Sequence, residues 1–279
     1  MAREQHKLLH PAENALAAAL GEHVPVDVKG YCATPEDNLI ASVTPELWAT
    51  ARADLAAGKG DELAHKFRAA QSSSALAVNA FAPLRGRVPL PGNIVIEGAM
   101  RLEQERSAWA RGYWPTLDVI VEADAAPQRL FVESKCIEYL RKTSTPFSQE
   151  FVKHAQRDKR LDPEAVATFE LVREDRYAFD PVDAPQLLKH FLAAKRVALE
   201  TGCKVILLCV WWTPEQAHDD VFKDHSAQAL KLAEALVDPD VTLLSMTYAE
   251  LWSHWDRLGD GGLSNHVALL RERYSVRLS

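Results

Sequence analysis

Two short apolar runs joined by a turn constrain this chain more than any other feature of its sequence. Residues 116–123 and 129–137 are rich in Val, Ile and Leu, and such runs, bounded by turn residues, are typical of strands. Between them lies the four-residue segment 124–127, made of Asp, Ala and Pro, which suits a tight turn. Symmetric pairing about the turn sets Glu122 opposite Arg129, a favourable cross-strand charge pair. The pattern therefore predicts an antiparallel β-hairpin with a defined register.

That register places three charged side chains on one face at the far end of the hairpin. Asp118 falls opposite Glu133, and Lys135 follows on the same face because strand side chains alternate. Opposed side chains have Cβ atoms about 4.5–5.5 Å apart and like charges there repel, so something must offset the two carboxylates, and a hard cation with oxygen ligands would do so. Mg²⁺ takes one or two carboxylates with waters and substrate phosphates, and Lys135 would add positive charge beside a phosphorus centre. The alternative is a solvated strand face with a structural ion pair.

The same residues resemble a known motif. Asp118 and the tripeptide Glu133-Ser134-Lys135 are similar to the PD-(D/E)XK motif of restriction-endonuclease-like phosphodiesterases, although the proline lies three residues before the aspartate rather than next to it. The order of predicted elements over residues 60–212 matches the core of that superfamily. The resemblance implies that Asp118 and Glu133 bind a metal ion, Mg²⁺ or Mn²⁺. It also implies that the Ser134 backbone carbonyl is a further ligand and that Lys135 is the catalytic lysine.

A narrower resemblance is to bacterial restriction-endonuclease-like proteins with a serine-rich helix before this hairpin. In this chain that segment is residues 67–79. In the superfamily an additional acidic residue from the first helix or strand often completes the metal site. Glu97 is the first candidate for this role and Glu62 the second, and for both the alternative is an ordinary exposed carboxylate.

Three further groups are candidates for contact with nucleic acid. A basic strip could contact phosphates; it consists of Lys153, Arg157 and Arg160. An aromatic cluster could stack on bases; it consists of Trp109, Tyr113 and Trp114. Gln186 and His190 share one face of a helix predicted after the hairpin, from which they could reach the cleft. The alternative for each group is a packing or solvated role.

The composition limits the setting in which such a site works. No apolar run approaches the ~20 residues that span a bilayer, and the polar N-terminus has no apolar signal core. The four cysteines lack metal-like spacing and favour a reduced, cytoplasmic setting. A net charge of −7 argues against a mainly electrostatic DNA binder, although a carboxylate-lined site itself adds negative charge.

The predicted fold is α/β, with a restriction-endonuclease-like core in which helices flank a mixed sheet. An N-terminal helical segment is expected over residues 1–59 and the nuclease-like domain, with its C-terminal α/β extension, over 60–279; a single domain is the alternative. Other elements are predicted with these bounds: helices 11–21, 45–57, 60–81, 149–160, 184–200, 218–237, 248–255 and 265–274, and strands 93–102, 204–212 and 241–245.

These features predict a metal-dependent nuclease that hydrolyses phosphodiester bonds of nucleic acid, with DNA the favoured substrate. One alternative is a nucleic-acid-binding or assembly module that keeps the fold without cleavage, and another is a small-molecule phosphodiesterase. Because cutting both strands of a duplex usually requires two sites, a homodimer is also expected.

Overall fold

A computed structural model describes residues 10–58, 63, 65–107, 115–124, 126–140, 147, 149, 153, 170, 182–217 and 219–278. The described helices are α1 (Pro11–Gly21), α2 (Pro45–Ala57), α3 (Ser73–Phe81), α4 (Ala184–Thr201), α5 (Asp220–Ala235), α6 (Tyr248–Arg257) and α7 (Gly261–Tyr274). The strands are β1 (Arg87–Leu90), β2 (Ile94–Glu97), β3 (Ala99–Glu105), β4 (Thr116–Glu122), β5 (Gln128–Lys135), β6 (Lys204–Trp211) and β7 (Val241–Thr247). Within this part of the chain every helix is too short or too polar to cross a membrane.

Five strands form a mixed sheet in the order β3-β4-β5-β6-β7. The first three strands are antiparallel neighbours, whereas β5, β6 and β7 run parallel. The crossover to β6 contains α4, and the crossover to β7 contains α5. Almost every residue of β6 is buried, as expected for a continuous apolar run in a sheet covered on both faces. The predicted α/β fold with a mixed sheet flanked by helices is confirmed.

The register of the β4–β5 hairpin is the predicted one. Val119 pairs with Val132, and Ile120 pairs with Phe131. The expected charge pair is also present, since Arg129 Nη1 lies 3.0 Å from Glu122 Oε2. Side-chain alternation and one cross-strand ion pair were therefore sufficient to predict this register.

Helices cover both faces of the sheet and create two hydrophobic cores. One core lies under α4 and α5 and contains Ile120, Phe131 and Leu207. The other contains Val119 of β4 together with side chains of α3, α6 and the N-terminal helices, including Leu16 of α1. The N-terminal helices and the sheet thus share one core.

Two predicted elements differ from the structure. The helix expected over residues 60–81 begins only at Ser73, because Ser72 is its N-cap and accepts a hydrogen bond from the Ala75 N–H at 3.2 Å. The strand expected over 93–102 is two strands in different sheets, β2 and β3, which are separated at Gly98. A Cβ at Gly98 would lie 2.5 Å from the Glu122 carbonyl, so only glycine permits this close approach.

A second set of predictions lies outside the described residues. These predictions concern Glu62, the aromatic cluster and nearly all of the helix predicted over 149–160. That predicted helix carries Arg157 and Arg160 of the basic strip.

Candidate active site

Asp118 stands where the β4–β5 ladder ends. The last paired residues of the described ladder are Val119 and Val132. Beyond them, Asp118 Oδ2 accepts a hydrogen bond from the Ser134 backbone N–H at 2.6 Å. A side-chain oxygen thus takes the place of a backbone acceptor and fixes the carboxylate at the hairpin end.

Glu133 is the most enclosed charge of the site and has a positive group beside it. Its side chain is 5% exposed, and its Oε1 lies 2.6 Å from Lys135 Nζ. Its second oxygen, Oε2, lies 3.0 Å from Nδ1 of His190 on α4, a buried nitrogen without an aligned hydrogen bond. Lys135 Nζ also donates to Gln186 Oε1 at 2.8 Å. The face of α4 that the sequence indicated therefore does reach the predicted charges.

Burial and neighbouring charges shift the pKa values of the two carboxyl groups in opposite directions. Burial, followed by the negative charge of Glu133, raises the pKa of Asp118 well above its usual range. Burial alone would also raise the pKa of Glu133, but Lys135 and His190 outweigh it and lower that pKa to about 2. For Lys135 the desolvation of burial is outweighed by Glu133, so the pKa of the ammonium is raised. At neutral pH Lys135 and Glu133 are both charged, while Asp118 is the carboxyl group that resists ionisation.

The Ser134 side chain faces the opposite layer of the fold. Its Oγ lies 2.7 Å from the Tyr248 hydroxyl of α6 and donates to the Ser73 carbonyl at the start of α3 at 3.4 Å. These contacts anchor β5 between α3 and α6. Since the hydroxyl is occupied there, only the backbone of Ser134 is available to the charged face.

A further carboxylate, Glu103, lies beside Asp118. In the β3–β4 pairing, Leu102 pairs with Val119 and Gln104 with Leu117, so Glu103 sits between these pairs, across from Asp118. Its φ is +48°, an uncommon value for a non-glycine residue. Its charge contributes to the raised pKa of Asp118. The sequence analysis did not select Glu103, because its position depends on the pairing of β3 with β4.

Glu97 stands apart from the predicted group. It is exposed on β2, and its Oε1 lies 2.8 Å from Nε of Arg87. The neighbouring β3 begins with Ala99 opposite Glu122, so Glu97 is at the turn end of the hairpin. Asp118 is four residues further along β4, or roughly 13 Å at the strand rise.

The donor set near Asp118 suits a hard cation only in part. Among the described residues no group of three or more His, Cys, Asp or Glu is arranged to hold a metal ion. Yet the two carboxylates stand at one end of the hairpin, and the pKa of Asp118 is raised. Mg²⁺ needs as few as one or two carboxylates besides water and substrate oxygens. The oxygen chemistry of Asp118 and Glu133, with the Ser134 carbonyl, is thus compatible with Mg²⁺ or Mn²⁺.

Comparison with known proteins identifies a family. A protein-family model described as "Restriction Endonuclease associating with ARP" matches residues 9–275, nearly the whole chain. No curated protein and no solved structure matches the chain.

Proposed function

This chain belongs to the family of restriction endonucleases associating with ARP, and we propose that it is a metal-dependent nuclease. It hydrolyses phosphodiester bonds of nucleic acid, and DNA is the favoured substrate. The observation that carries the proposal is the meeting of Asp118, Glu133 and Lys135 at one end of the hairpin.

In this proposal Asp118 and Glu133 hold Mg²⁺ or Mn²⁺ together with the Ser134 carbonyl. The ion, when bound, supplies Lewis-acid polarisation of the phosphoryl oxygen and stabilises charge developing on it. The raised pKa of Asp118 supports this role, because a carboxylate that is costly to ionise gains most from a nearby cation.

Lys135 supplies the fixed positive charge of the site. The ammonium stays protonated at neutral pH because Glu133 raises its pKa, so it stabilises negative charge on the phosphoryl group and does not act as a base. Gln186 accepts a hydrogen bond from Nζ at 2.8 Å and orients the ammonium. His190 holds the second oxygen of Glu133 from the buried side.

Glu103, not Glu97, is the additional acidic residue whose charge acts on Asp118. It lies across from Asp118, whereas Glu97 is exposed and pairs with Arg87 at the opposite end of β4. Exchanging each glutamate for glutamine gives a matched pair of variants. E103Q is expected to weaken metal dependence of cleavage, and E97Q to leave it unchanged.

The test of the proposal is cleavage of a panel of labelled single- and double-stranded DNA and RNA, with Mg²⁺, Mn²⁺ or EDTA. The intact chain is expected to cut at least one substrate in a metal-dependent manner, and K135A to lose that activity by on the order of 10²-fold or more. Full activity of K135A, or metal-dependent activity of D118N equal to that of the intact chain, would refute the assignment.

A module that binds nucleic acid without cutting it is the second candidate. It is favoured by the contacts that already engage both oxygens of Glu133 and by the lack, among the described residues, of a three-residue metal group. Binding of nucleic acid by the intact chain without cleavage of any substrate in the panel would support this candidate.

Two statements about the setting belong to the same proposal. All four cysteines are free and buried, which supports a reduced, cytoplasmic setting. A homodimer supplies the two sites that a double-strand break requires, and light scattering with and without duplex DNA tests it.

A further inference from the structure

A small cavity lies beside α7, on the side of the sheet away from α4 and the charged end of the hairpin. Its volume is about 370 Å³, and its walls come from the first turns of α7, the turn before α2 and the segment from α3 to β1. Leu84, Pro89 and Leu263 make part of the lining apolar, whereas Ser42 and His266 are polar. We call it the α7 cavity. Its size and its mixed lining are typical of a site for a small molecule.

The hydrogen bonds of His266 determine which of its ring nitrogens carries a proton. Nε2 lies 3.0 Å from the Ala80 carbonyl oxygen, and because a carbonyl can only accept, Nε2 is the protonated nitrogen. Nδ1 of the neutral ring is then an acceptor, and Ser42 Oγ donates to it at 2.9 Å. Burial lowers the pKa of His266 more than the bond to Ala80 raises it, so the imidazole is neutral at pH 7. The Ser42 hydroxyl therefore faces an unprotonated base.

Backbone contacts hold this serine–histidine pair in one geometry. The Ala80 carbonyl lies in the last turn of α3, where backbone acceptors are left over from the helix hydrogen bonds. Ser42 lies in the turn before α2, where the Val43 N–H donates to the Ile40 carbonyl at 3.0 Å. The Ile40 N–H in turn donates to Oδ1 of Asn79 on α3 at 3.1 Å. The hydroxyl and the imidazole are thus positioned before any ligand enters the cavity.

The arrangement has the three parts of an activated serine. A hydroxyl lies within hydrogen-bond reach of a base, and a third group orients that base. In a Ser–His–Asp triad the third group is a carboxylate, whereas here it is the Ala80 carbonyl, which orients the ring without adding a charge. Ser42 is half-buried and lines the cavity, so its Oγ can meet a ligand. The alternative is a structural tie between α7 and the turn before α2, which predicts no reactivity at Ser42.

The other polar residues of the α7 cavity suit an uncharged carbonyl compound. Arg87 and Asn265 line the cavity, and both side chains carry N–H groups that can stabilise negative charge developing on a carbonyl oxygen. Arg87 bonds Glu97 through Nε and is largely exposed. Asp260, the carboxylate of the lining, caps the start of α7. With an apolar wall beside the hydroxyl, this set favours an ester that has a short acyl chain.

We propose that Ser42 is a nucleophile activated by His266 and that the α7 cavity hydrolyses short-chain carboxylic esters. Ser42 Oγ forms a bond to the acyl carbon while Nδ1 of His266 takes the hydroxyl proton. The bond from the acyl carbon to the alcohol oxygen then breaks, and the imidazolium returns its proton to that oxygen. Water attacks the acyl-serine by the same route, so that a carboxylic acid is released and the Ser42 hydroxyl is restored. This activity is independent of the proposed nuclease.

The experiment compares two serine variants of the full-length chain in EDTA. Hydrolysis of p-nitrophenyl acetate is followed by release of p-nitrophenolate from the intact chain, S42A and S226A. Ser226 is the matched control, because it is a half-buried serine whose Oγ donates to the Phe222 carbonyl at 3.0 Å and not to a base. S42A is expected to lose activity on the order of 10²-fold, and S226A to match the intact chain. The rate should follow one ionisation with a midpoint below pH 6.5, the ordinary pKa of histidine.

A covalent probe tests the nucleophile without any substitution. A fluorophosphonate reacts with an activated serine by forming a P–O bond and losing fluoride, and peptide mass spectrometry locates the adduct. The adduct is expected on Ser42 of the intact chain. An intact chain that carries no adduct on Ser42, or an S42A protein that hydrolyses the ester as S226A does, would overturn the proposal. D118N is expected to keep the esterase activity, so a failure of the nuclease proposal leaves this result unchanged.

Discussion

Replacement of Asp118 by asparagine is expected to stabilise the metal-free fold while it removes the activity. Asp118 stands just beyond the last paired residues of the hairpin, Val119 and Val132, and its pKa is raised by burial and by the charge of Glu133. Asparagine keeps an acceptor for the Ser134 N–H, which now bonds Asp118 Oδ2, but carries no charge. Opposite effects on stability and activity are characteristic of a functional carboxylate held in an unfavourable environment.

The size of the effect is worked out for the predicted pairing of Asp118 with Glu133. Directly opposed strand residues have side chains about 5 Å apart, and two like charges at that distance repel by about 3 kcal/mol at an effective dielectric constant of about 20. Lys135 and the Ser134 N–H offset part of this repulsion, so we expect a net stabilisation on the order of 1–2 kcal/mol. For a chain of this size that corresponds to a rise in Tm of roughly 2–6 °C.

The assay is thermal unfolding of both proteins in EDTA between pH 3.5 and pH 8. Because the pKa of Asp118 is raised in the folded state, both states of the protein bind the proton below pH 3.8 and the carboxyl group has no effect there. As the pH rises above 3.8 the unfolded chain releases the proton first, and the intact protein loses stability until the raised pKa is passed. The advantage of D118N should therefore be smallest at pH 3.5 and should grow as the pH rises above 3.8.

D124N provides the control for this prediction. Asp124 lies exposed in the turn of the same hairpin, so the same chemical change there should alter neither Tm nor cleavage. A D118N protein that is less stable than the intact chain at pH 7, or a difference that does not vary with pH, would refute the reasoning.

Three other substitutions test separate parts of the account. Gly98→Ala should destabilise the fold by on the order of 3 kcal/mol in urea denaturation, because the new Cβ would lie 2.5 Å from the Glu122 carbonyl. An unchanged denaturation midpoint would show that the fold does not need the close contact between Gly98 and the Glu122 backbone. Asn79→Leu should cost roughly 3 kcal/mol by the same measurement, since the buried amide bonds the Ile40 N–H and two further groups; a loss below about 0.5 kcal/mol would contradict this role. Gln186→Leu should lower kcat on the order of tenfold with little change in Tm, and an unchanged kcat would show that the amide does not orient the lysine.

Local rules predicted those parts of the fold that local interactions determine. The helix predicted over 45–57 agrees with α2, which has Thr44 as its N-cap, proline at its first position and Gly58 after its last residue. The helix predicted over 184–200 agrees in the same way with α4, which has Asp183 as its N-cap and Gly202 after its last residue. The hairpin register followed from alternation and from the Glu122–Arg129 pair, so the meeting of Asp118 and Glu133 was foreseeable.

Long-range interactions explain where the predictions were wrong. The alanine- and serine-rich segment before α3 has helical propensity, but its carbonyls are taken by distant donors. Asn38 Nδ2 donates to the carbonyls of Phe67 at 2.7 Å and Ala69 at 2.8 Å, and Arg273 Nη2 donates to that of Ala70 at 3.0 Å. These bonds hold the segment outside a helix, and no local pattern reveals them.

The separation of Glu97 from Asp118 was not predicted for a similar reason. Glu97 was selected because it interrupts an apolar run, but the strand divides at Gly98 and carries Glu97 away from Asp118. Glu103 comes into place only through the pairing of β3 with β4 and through contact with α2, whose Asp54 accepts the Leu102 N–H at 3.0 Å. Both facts depend on residues far away in sequence.

Calorimetric titration of Mn²⁺ tests the central claim most directly, because it does not require a substrate. We expect the intact chain and D124N to bind Mn²⁺ with the same affinity, and D118N and E133Q to lose that binding. Equal Mn²⁺ affinity in D118N and in the intact chain would contradict the claim that the hairpin end, with Asp118 and Glu133, is a metal site.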